Sequence, residues 1–137
     1  MGLKPFRVYI DSCIAIYLVE EHPVFAPKIE AKIANLSRIE ICVSDLTELE
    51  CLVLPLRNSN TILLTKFNDW FNKVETLTAG NEIFRKAAQL RADFPNLKTP
   101  DALHLAAAIY HNCDKFWTND NRLTGIAPSI VKNILAP

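Results

Sequence analysis

The chain has 137 residues, of which half are hydrophobic and 22% are charged. This balance indicates a globular protein and excludes a disordered chain, and the length predicts a single domain over residues 1–137. Lys and Arg together number 15, as do Asp and Glu, so the formal net charge is zero. A protein that binds nucleic acid by general attraction is usually basic. Any nucleic-acid role would therefore depend on a local site.

Short apolar runs alternate with helical patterns in the first half of the chain. The runs predict strands at Phe6–Ile10 and Ile39–Val43. The helical patterns predict four helices: Ser12–Glu20, Phe25–Leu36, Asp45–Leu54 and Thr61–Asn72. Pro55 is expected to end or kink the third of these helices, because proline lacks the amide proton of the helical ladder.

The second half of the chain continues the alternation. Three more strands are predicted: Val74–Leu77, Lys115–Thr118 and Ile130–Ile134. Two more helices are predicted at Glu82–Arg91 and Thr99–Tyr110. Strands that alternate with helices indicate a three-layer α/β/α fold, in which helices cover both faces of a central parallel sheet. Ligands of such sheets gather outside the carboxyl ends of the strands.

Two aspartates follow predicted strands directly. Asp11 directly follows the first strand, and Asp120 follows the fourth strand in the segment Thr118-Asn119-Asp120. If these strands are neighbours in a parallel sheet, both carboxylates lie at the same edge. The alternative is that each aspartate caps the next helix or turn, a role that aspartate commonly fills.

A third acid lies on the helix that begins at Asp45. Four residues mark its predicted apolar face: Leu46, Leu49, Val53 and Leu56. Glu50 borders this face, where a carboxylate is costly unless it is paired or bound to a metal. Glu48 lies about 200° away around the helix, and Asp45 and Glu48 together fit a capping box. We therefore select Glu50 as the candidate site residue.

The fourth acid opens the last long helix. Thr99 is the predicted N-cap, Pro100 suits the first helical position, and Asp101 then lies in the first turn. The helix dipole favours an anion there, which by itself would explain the aspartate. His104 follows one turn later, and we expect it to be buried and hydrogen-bonded in a structural role.

These acids lie in segments that resemble the PIN-domain family, and more closely its VapC-like toxin branch. The matching segments are Val8-Tyr9-Ile10-Asp11-Ser12, Leu46-Thr47-Glu48-Leu49-Glu50, Thr99-Pro100-Asp101-Ala102-Leu103-His104-Leu105-Ala106 and Trp117-Thr118-Asn119-Asp120. By this resemblance, the positions of the family's acidic metal-binding set fall on Asp11, Glu50, Asp101 and Asp120. The resemblance further implies the strand order 3-2-1-4-5, RNA cleavage, a homodimer and a cognate antitoxin protein.

The sequence departs from the family pattern at two places. The middle motif offers two glutamates, Glu48 and Glu50, where one is expected, so Glu48 is a candidate to assist Glu50. Ser12-Cys13 follows the first strand, where toxins of this branch often have a different polar pair. Neither departure removes an acid, so both bear on the substrate more than on the chemistry.

Converging carboxylates would suit a magnesium or manganese centre. Mg²⁺ and Mn²⁺ prefer oxygen ligands, and three or four carboxylates can hold one or two such ions. A metal there would promote hydrolysis of a phosphodiester by activating water. Ser12, Thr118 and Asn119 are candidates to orient these ligands, and their alternative role is in caps and turns. The aromatic residues Phe67, Trp70 and Phe71 indicate core or dimer surface.

We therefore predict a metal-dependent endoribonuclease, the toxin of a type II toxin–antitoxin pair. One alternative is an Asp-dependent α/β phosphatase, although a haloacid-dehalogenase-type enzyme would have Asp-x-Asp where Asp11 is followed by Ser12-Cys13. Another is a catalytically silent PIN-fold binding module. A cytoplasmic location is expected because the cysteines suggest reduced core residues: Cys13, Cys42, Cys51 and Cys113. No apolar run approaches the roughly 20 residues that cross a bilayer.

Overall fold

A computed structural model describes residues 4–137, so residues 1–3 of the predicted domain lie outside the described part. The described strands are β1 (Phe6–Ile10), β2 (Ile39–Ser44), β3 (Glu75–Leu77), β4 (Lys115–Thr118) and β5 (Val131–Asn133). The α-helices are α1 (Ser12–Val19), α2 (Phe25–Ala34), α3 (Asp45–Arg57), α4 (Thr61–Phe71), α5 (Asn81–Asp93) and α6 (Thr99–Tyr110). A short 3-10 helix covers Asn121–Leu123.

The five strands form one parallel sheet in the order β3-β2-β1-β4-β5. The fold class and strand order predicted above are therefore confirmed. β1 is the central strand, with Tyr9 opposite Cys42 of β2 on one side and Phe116 of β4 on the other. Val8, Tyr9 and Ile10 are fully buried, as expected for a strand that helices cover on both faces.

The side chains of β1 alternate between two hydrophobic clusters, one on each face of the sheet. Tyr9 belongs to the cluster that contains residues of α5 and α6. Val8 and Ile10 belong to the other cluster, which contains residues of α1, α2, α3 and α4. Phe67 and Phe71 of α4 are buried in this second cluster, so these two aromatics are core residues.

The face of α3 that packs on the protein is not the predicted apolar face. Thr47, Cys51 and Pro55 are buried, whereas Leu49 and Val53 are 60% and 40% exposed. The prediction was wrong because an apolar helix face is buried only where other elements of the same chain pack against it, and none within residues 4–137 covers Leu49 and Val53. Glu50 flanks both faces, so it still borders the core. Pro55 does not end α3, which continues to Arg57.

The N-termini of two helices also differ from prediction. Ser44 is the N-cap of α3, and its amide donates to Thr47 Oγ1 at 3.1 Å, so Asp45 and Glu48 do not form the capping box. Lys98 is the N-cap of α6. Thr99 is not the cap because its hydroxyl oxygen instead accepts from Arg91 Nη1 at 2.8 Å.

The cysteines agree with their predicted role as reduced core residues. All four are free thiols, with Cys13 half-buried and the other three buried. Burial raises the pKa of the Cys13 thiol to about 12, which keeps it protonated. Within residues 4–137, the helices are all too short or too polar to span a bilayer.

Candidate active site

The two strand-end aspartates meet at the carboxyl edge of the sheet. β1 and β4 are neighbours, and a single hydroxyl joins the residues that follow them. Thr118 Oγ1 donates to Asp11 Oδ2 at 2.8 Å and accepts from the backbone amide of Asp120 at 3.0 Å. The capping alternative is realised at the same time, because Asp11 Oδ1 accepts from the amide of Ser12 at 2.9 Å.

Asp101, in the first turn of α6, lies near enough to this pair to feel the charge of both aspartates. Burial raises the pKa of its carboxyl group, and the negative charges of Asp11 and Asp120 raise it further. His104 and Arg122 act in the opposite direction but do not compensate. Asp101 is thus close enough to Asp11 and Asp120 to be repelled by both, and a cation among the three would relieve that repulsion.

Asp120 is held by an arginine two positions later. Arg122 Nη2 lies 2.6 Å from Asp120 Oδ2, and Arg122 Nε lies 3.0 Å from Oδ1. Hydrogen bonding from the Arg122 side chain is the main cause of the lowered pKa of Asp120. The arginine side chain is 70% exposed. An exposed ion pair of this kind contributes little stability and separates easily.

Glu50 occupies a second part of the edge. Ser12 Oγ donates to Glu50 Oε1 at 2.6 Å, and His104 Nε2 lies 2.5 Å from the same oxygen. Burial by itself would raise the pKa of Glu50, but hydrogen bonds from His104 and Ser12 outweigh it and lower the pKa. Glu50 is therefore held as a carboxylate in a fixed orientation.

A buried tyrosine holds the histidine from behind. Tyr9 Oη lies 2.7 Å from His104 Nδ1 and 2.8 Å from Ser44 Oγ, and all three side chains are buried. Every group is satisfied when Ser44 donates to Tyr9, Tyr9 donates to His104 Nδ1, and His104 Nε2–H donates to Glu50. The predicted buried, hydrogen-bonded role of His104 is confirmed.

The partners of His104 were missed from the sequence. Tyr9 carried a usable signal, because a tyrosine within a fully buried strand needs a partner for its hydroxyl group. Ser44, which ends β2, carried none beyond its suitability as a helix cap.

The predicted site residues thus fall into two linked groups. Asp11, Asp101 and Asp120 form one group, and Ser12 connects Asp11 to Glu50 in the other. Asn119 is directed elsewhere, since its side-chain amide donates to Tyr17 Oη at 3.3 Å. Glu48 is half-buried on α3, away from the hydrogen bonds of Glu50.

The chemistry of the donors suits a hard divalent cation, because all four acids offer oxygen atoms. The carboxylates are not assembled around one point, however. Among residues 4–137, no three or more His, Cys, Asp or Glu side chains are grouped tightly enough to hold a metal ion as they stand. Asp120 in particular would have to exchange Arg122 for the metal.

Solved structures with this fold include components of toxin–antitoxin complexes. The chain is similar to a structure of VapBC2 from Rickettsia felis bound to promoter DNA, with 17% identity, a TM-score of 0.76, and 93% of this chain and 98% of that chain covered. A toxin–antitoxin complex from Klebsiella pneumoniae is 18% identical, with a TM-score of 0.77, and the match covers 95% of this chain and 99% of that chain. VapC20 of Mycobacterium tuberculosis, a sarcin-ricin loop cleaving toxin, is 12% identical, with a TM-score of 0.67, and the match covers 86% of this chain and 93% of that chain.

No curated protein matches the chain by sequence. The likeness to solved structures, at these identities, concerns the fold. The PIN domain family, in contrast, matches the sequence itself over residues 8–127, a range that contains all four acids and both hydrogen-bonded groups of the site. The chain therefore belongs to the PIN domain family.

Proposed function

We propose that this chain is a single-domain, metal-dependent endoribonuclease and the toxin of a toxin–antitoxin pair. The observation that carries the proposal is the bridge between Asp11 and Asp120 through the hydroxyl of Thr118, with Asp101 close enough to both to be repelled. A half-buried carboxyl group that two neighbouring aspartates repel, at a ligand-binding sheet edge, is best explained by a cation that the three bind together.

Each residue of the site then has a defined part. Asp11, Asp101, Asp120 and Glu50 would hold one or two Mg²⁺ or Mn²⁺ ions. Such ions, when bound, neutralise a phosphate and lower the pKa of an attacking water. Thr118 orients Asp11, and Ser12 with His104 orients Glu50. Arg122, once it leaves Asp120, is available to a phosphate oxygen of the substrate.

Relatives of similar fold support RNA as the substrate and a small protein as the partner. VapC20 of Mycobacterium tuberculosis cleaves the sarcin-ricin loop, and the proteins from Rickettsia felis and Klebsiella pneumoniae are in toxin–antitoxin assemblies. The neutral net charge of this chain agrees with recognition through a local site rather than general attraction.

The exposed face of α3 supports the predicted homodimer. Leu49 lines a small cavity of about 230 Å³ together with Phe84 of α5 and Leu103 of α6, and Leu49 and Phe84 are 60% and 55% exposed. Apolar surface of this kind on a soluble protein marks an interface. We propose that a second copy of the chain covers it.

Cleavage of single-stranded RNA tests the proposed activity. Purified protein, freed of any partner, should cut RNA in Mg²⁺ or Mn²⁺ and stop in EDTA. Glu50→Gln should lose most of this activity, about 100-fold or more if Glu50 stabilises charge in the transition state. Glu48→Gln is the matched control and should retain it. Equal cleavage in EDTA would exclude metal catalysis, and the reverse order of the two variants would identify Glu48 as the functional acid.

The same preparation separates the two alternatives. A phosphatase would hydrolyse p-nitrophenyl phosphate and leave RNA intact. A silent binding module would do neither. Either result would contradict the proposed endoribonuclease.

Light scattering tests the dimer. Wild-type protein should have the mass of a dimer, and Leu49→Lys should shift it toward the monomer because a charge would be buried at the interface. Ile62→Lys, at a 74% exposed position of α4, is the control and should remain dimeric. A monomeric wild-type protein at high concentration would contradict the dimer without affecting the nuclease proposal.

A further inference from the structure

A cavity of about 450 Å³ opens directly beside the acidic edge. Its floor and walls are largely apolar and come from two loops: Phe94 and Leu97 between α5 and α6, and Leu123 and Ile126 after β4. Leu97 and Leu123 are buried, whereas Phe94 and Ile126 are half-exposed. The floor is therefore closed, while the two walls present apolar surface to a ligand.

Local hydrogen bonds hold both walls of the cavity in place. The amide of Leu97 donates to the Phe94 carbonyl at 2.9 Å, and Arg91 Nε donates to the Leu97 carbonyl at 2.9 Å. Across the cavity, the amide of Ile126 donates to the Leu123 carbonyl at 3.1 Å. The cavity is thus formed without a ligand, as small-molecule sites usually are.

Four charged residues line the cavity, and one of them, Asp93 at the end of α5, accepts from Gln89 Nε2 at 2.9 Å. Asp101 lines both the cavity and the acidic edge, and Lys98 and Arg122 line the cavity beside it. Lys98 is also near enough to Asp120 to lower its pKa. A ligand fits this lining if it has an apolar plane for the interior and a negative charge directed toward Lys98, and toward Arg122 when that side chain leaves Asp120.

A nucleotide has this combination of properties. Its base is flat and stacks on apolar and aromatic side chains, and its phosphate pairs with Lys and Arg. A simple anion would not use the apolar walls, and an apolar ligand would not use the two cations. We propose that the cavity receives one base of the RNA strand, next to the phosphate that lies at the acids. This inference rests on the proposed nuclease function and adds a site that selects the sequence cut.

Binding in EDTA tests the cavity without any cleavage. The probe is a short fluorescein-labelled single-stranded RNA of mixed sequence, followed by anisotropy. Ile126→Trp fills the cavity and Lys98→Gln removes one cation. Each should weaken binding several-fold, up to about tenfold for the loss of one stacked base. Lys98 is exposed, so its variant remains informative if Ile126→Trp fails to fold.

Matched controls lie in a second cavity, at the amino ends of the strands. Lys73 and Val74 line this cavity of about 650 Å³. Lys73 is exposed like Lys98, and Val74 is half-exposed like Ile126. Lys73→Gln and Val74→Trp should therefore bind the probe as the wild type does. Equal losses at both cavities would show general attraction and overturn the proposal.

Sequencing the ends of a randomised RNA after Mn²⁺-dependent cleavage gives the second readout. Wild-type protein should show a base preference at one position beside the cut, and Ile126→Trp should lose it. Folded Ile126→Trp with wild-type affinity and wild-type preference would overturn the inference while the nuclease function stands. Wild-type protein that never cuts RNA, yet binds the probe through this cavity, would overturn the nuclease function while the base site stands.

Discussion

The two halves of the acidic edge are built in opposite ways. Glu50 is fixed by Ser12 and by His104, which is 1% exposed and is itself held by Tyr9. Asp101, in contrast, has like charges as neighbours and a raised pKa. Hydrogen bonds in the folded chain satisfy Glu50, whereas the repulsion of Asp101 by its neighbours is not compensated there. If the proposed metal is bound, Glu50 is the fixed reference point of the site and the aspartates adjust to the ion.

Removal of His104 should have the largest effect on stability. His104→Ala removes the main partner of Glu50 and the Nδ1 acceptor of Tyr9, and it does so at a position that is 1% exposed. The free energy of unfolding should fall by about 2–3 kcal/mol, the usual result of leaving buried polar groups unsatisfied. Urea denaturation of the variant and the wild type measures this change in the free energy of unfolding. His111→Ala, which removes an exposed hydrogen bond to the Thr78 carbonyl and a ring contact with Tyr110, is the control. A change as small as that of the control would show that the Glu50 half is not held by this network.

Removing a charge from the aspartate half should instead stabilise the protein. A carboxyl group whose pKa is raised by folding costs stability at neutral pH, and the cost fades as pH falls through the folded pKa toward the unfolded value of about 3.9. Asp101→Asn should therefore raise the melting temperature in EDTA at neutral pH. Solvent screening of this half-exposed group keeps the gain below about 1 kcal/mol, or a few degrees.

The pH dependence of that gain sharpens the test. The difference between Asp101→Asn and wild type should shrink as the pH is lowered, because the wild-type carboxyl group then takes up its proton. Asp69→Asn, at an exposed position of α4, should change little at any pH. A gain that is constant with pH would mean that charge repulsion is not its source.

Arg122→Gln should have the smallest effect on stability. The Arg122 side chain is largely exposed, so loss of its pair with Asp120 should change the free energy of unfolding by less than about 1 kcal/mol. The variant should nevertheless bind Mn²⁺ more tightly, since Asp120 no longer has a competing cation. Titration calorimetry measures this, with Arg85→Gln on α5 as the charge-matched control. Equal Mn²⁺ affinity in the two variants would show that Asp120 does not bind the metal.

Most of the fold could be read from the sequence because its signals are local. Phe6–Ile10 is an apolar run that ends at a polar residue, and β1 has the predicted bounds. The bounds of α6 are also as predicted, although its cap was misassigned. Threonine often caps helices, but the hydroxyl of Thr99 accepts a hydrogen bond from Arg91 on another helix. The sequence around Thr99 does not indicate that contact.

The parts of the site that were missed depend on distant contacts. Tyr9 and His104 are 95 positions apart, and nothing near either residue specifies the other. The buried face of α3 was misassigned because Leu49 and Val53 are apolar, yet the chain leaves them exposed. Glu50 was selected because it borders that mistaken face. It reaches the site because it also borders the true buried face, which contains its neighbour Cys51.

Thermal unfolding with EDTA and with saturating Mn²⁺ tests the central claim most directly. Mn²⁺ at about 100 times its dissociation constant should stabilise wild type by about 2.7 kcal/mol, and Glu48→Gln should gain as much. Asp101→Asn should start higher in EDTA and gain much less, because it lacks both the repulsion and a ligand. If Asp101→Asn instead melts lower than wild type in EDTA and gains as much from Mn²⁺, then Asp101 serves only to stabilise the first turn of α6 and the metal site lies elsewhere.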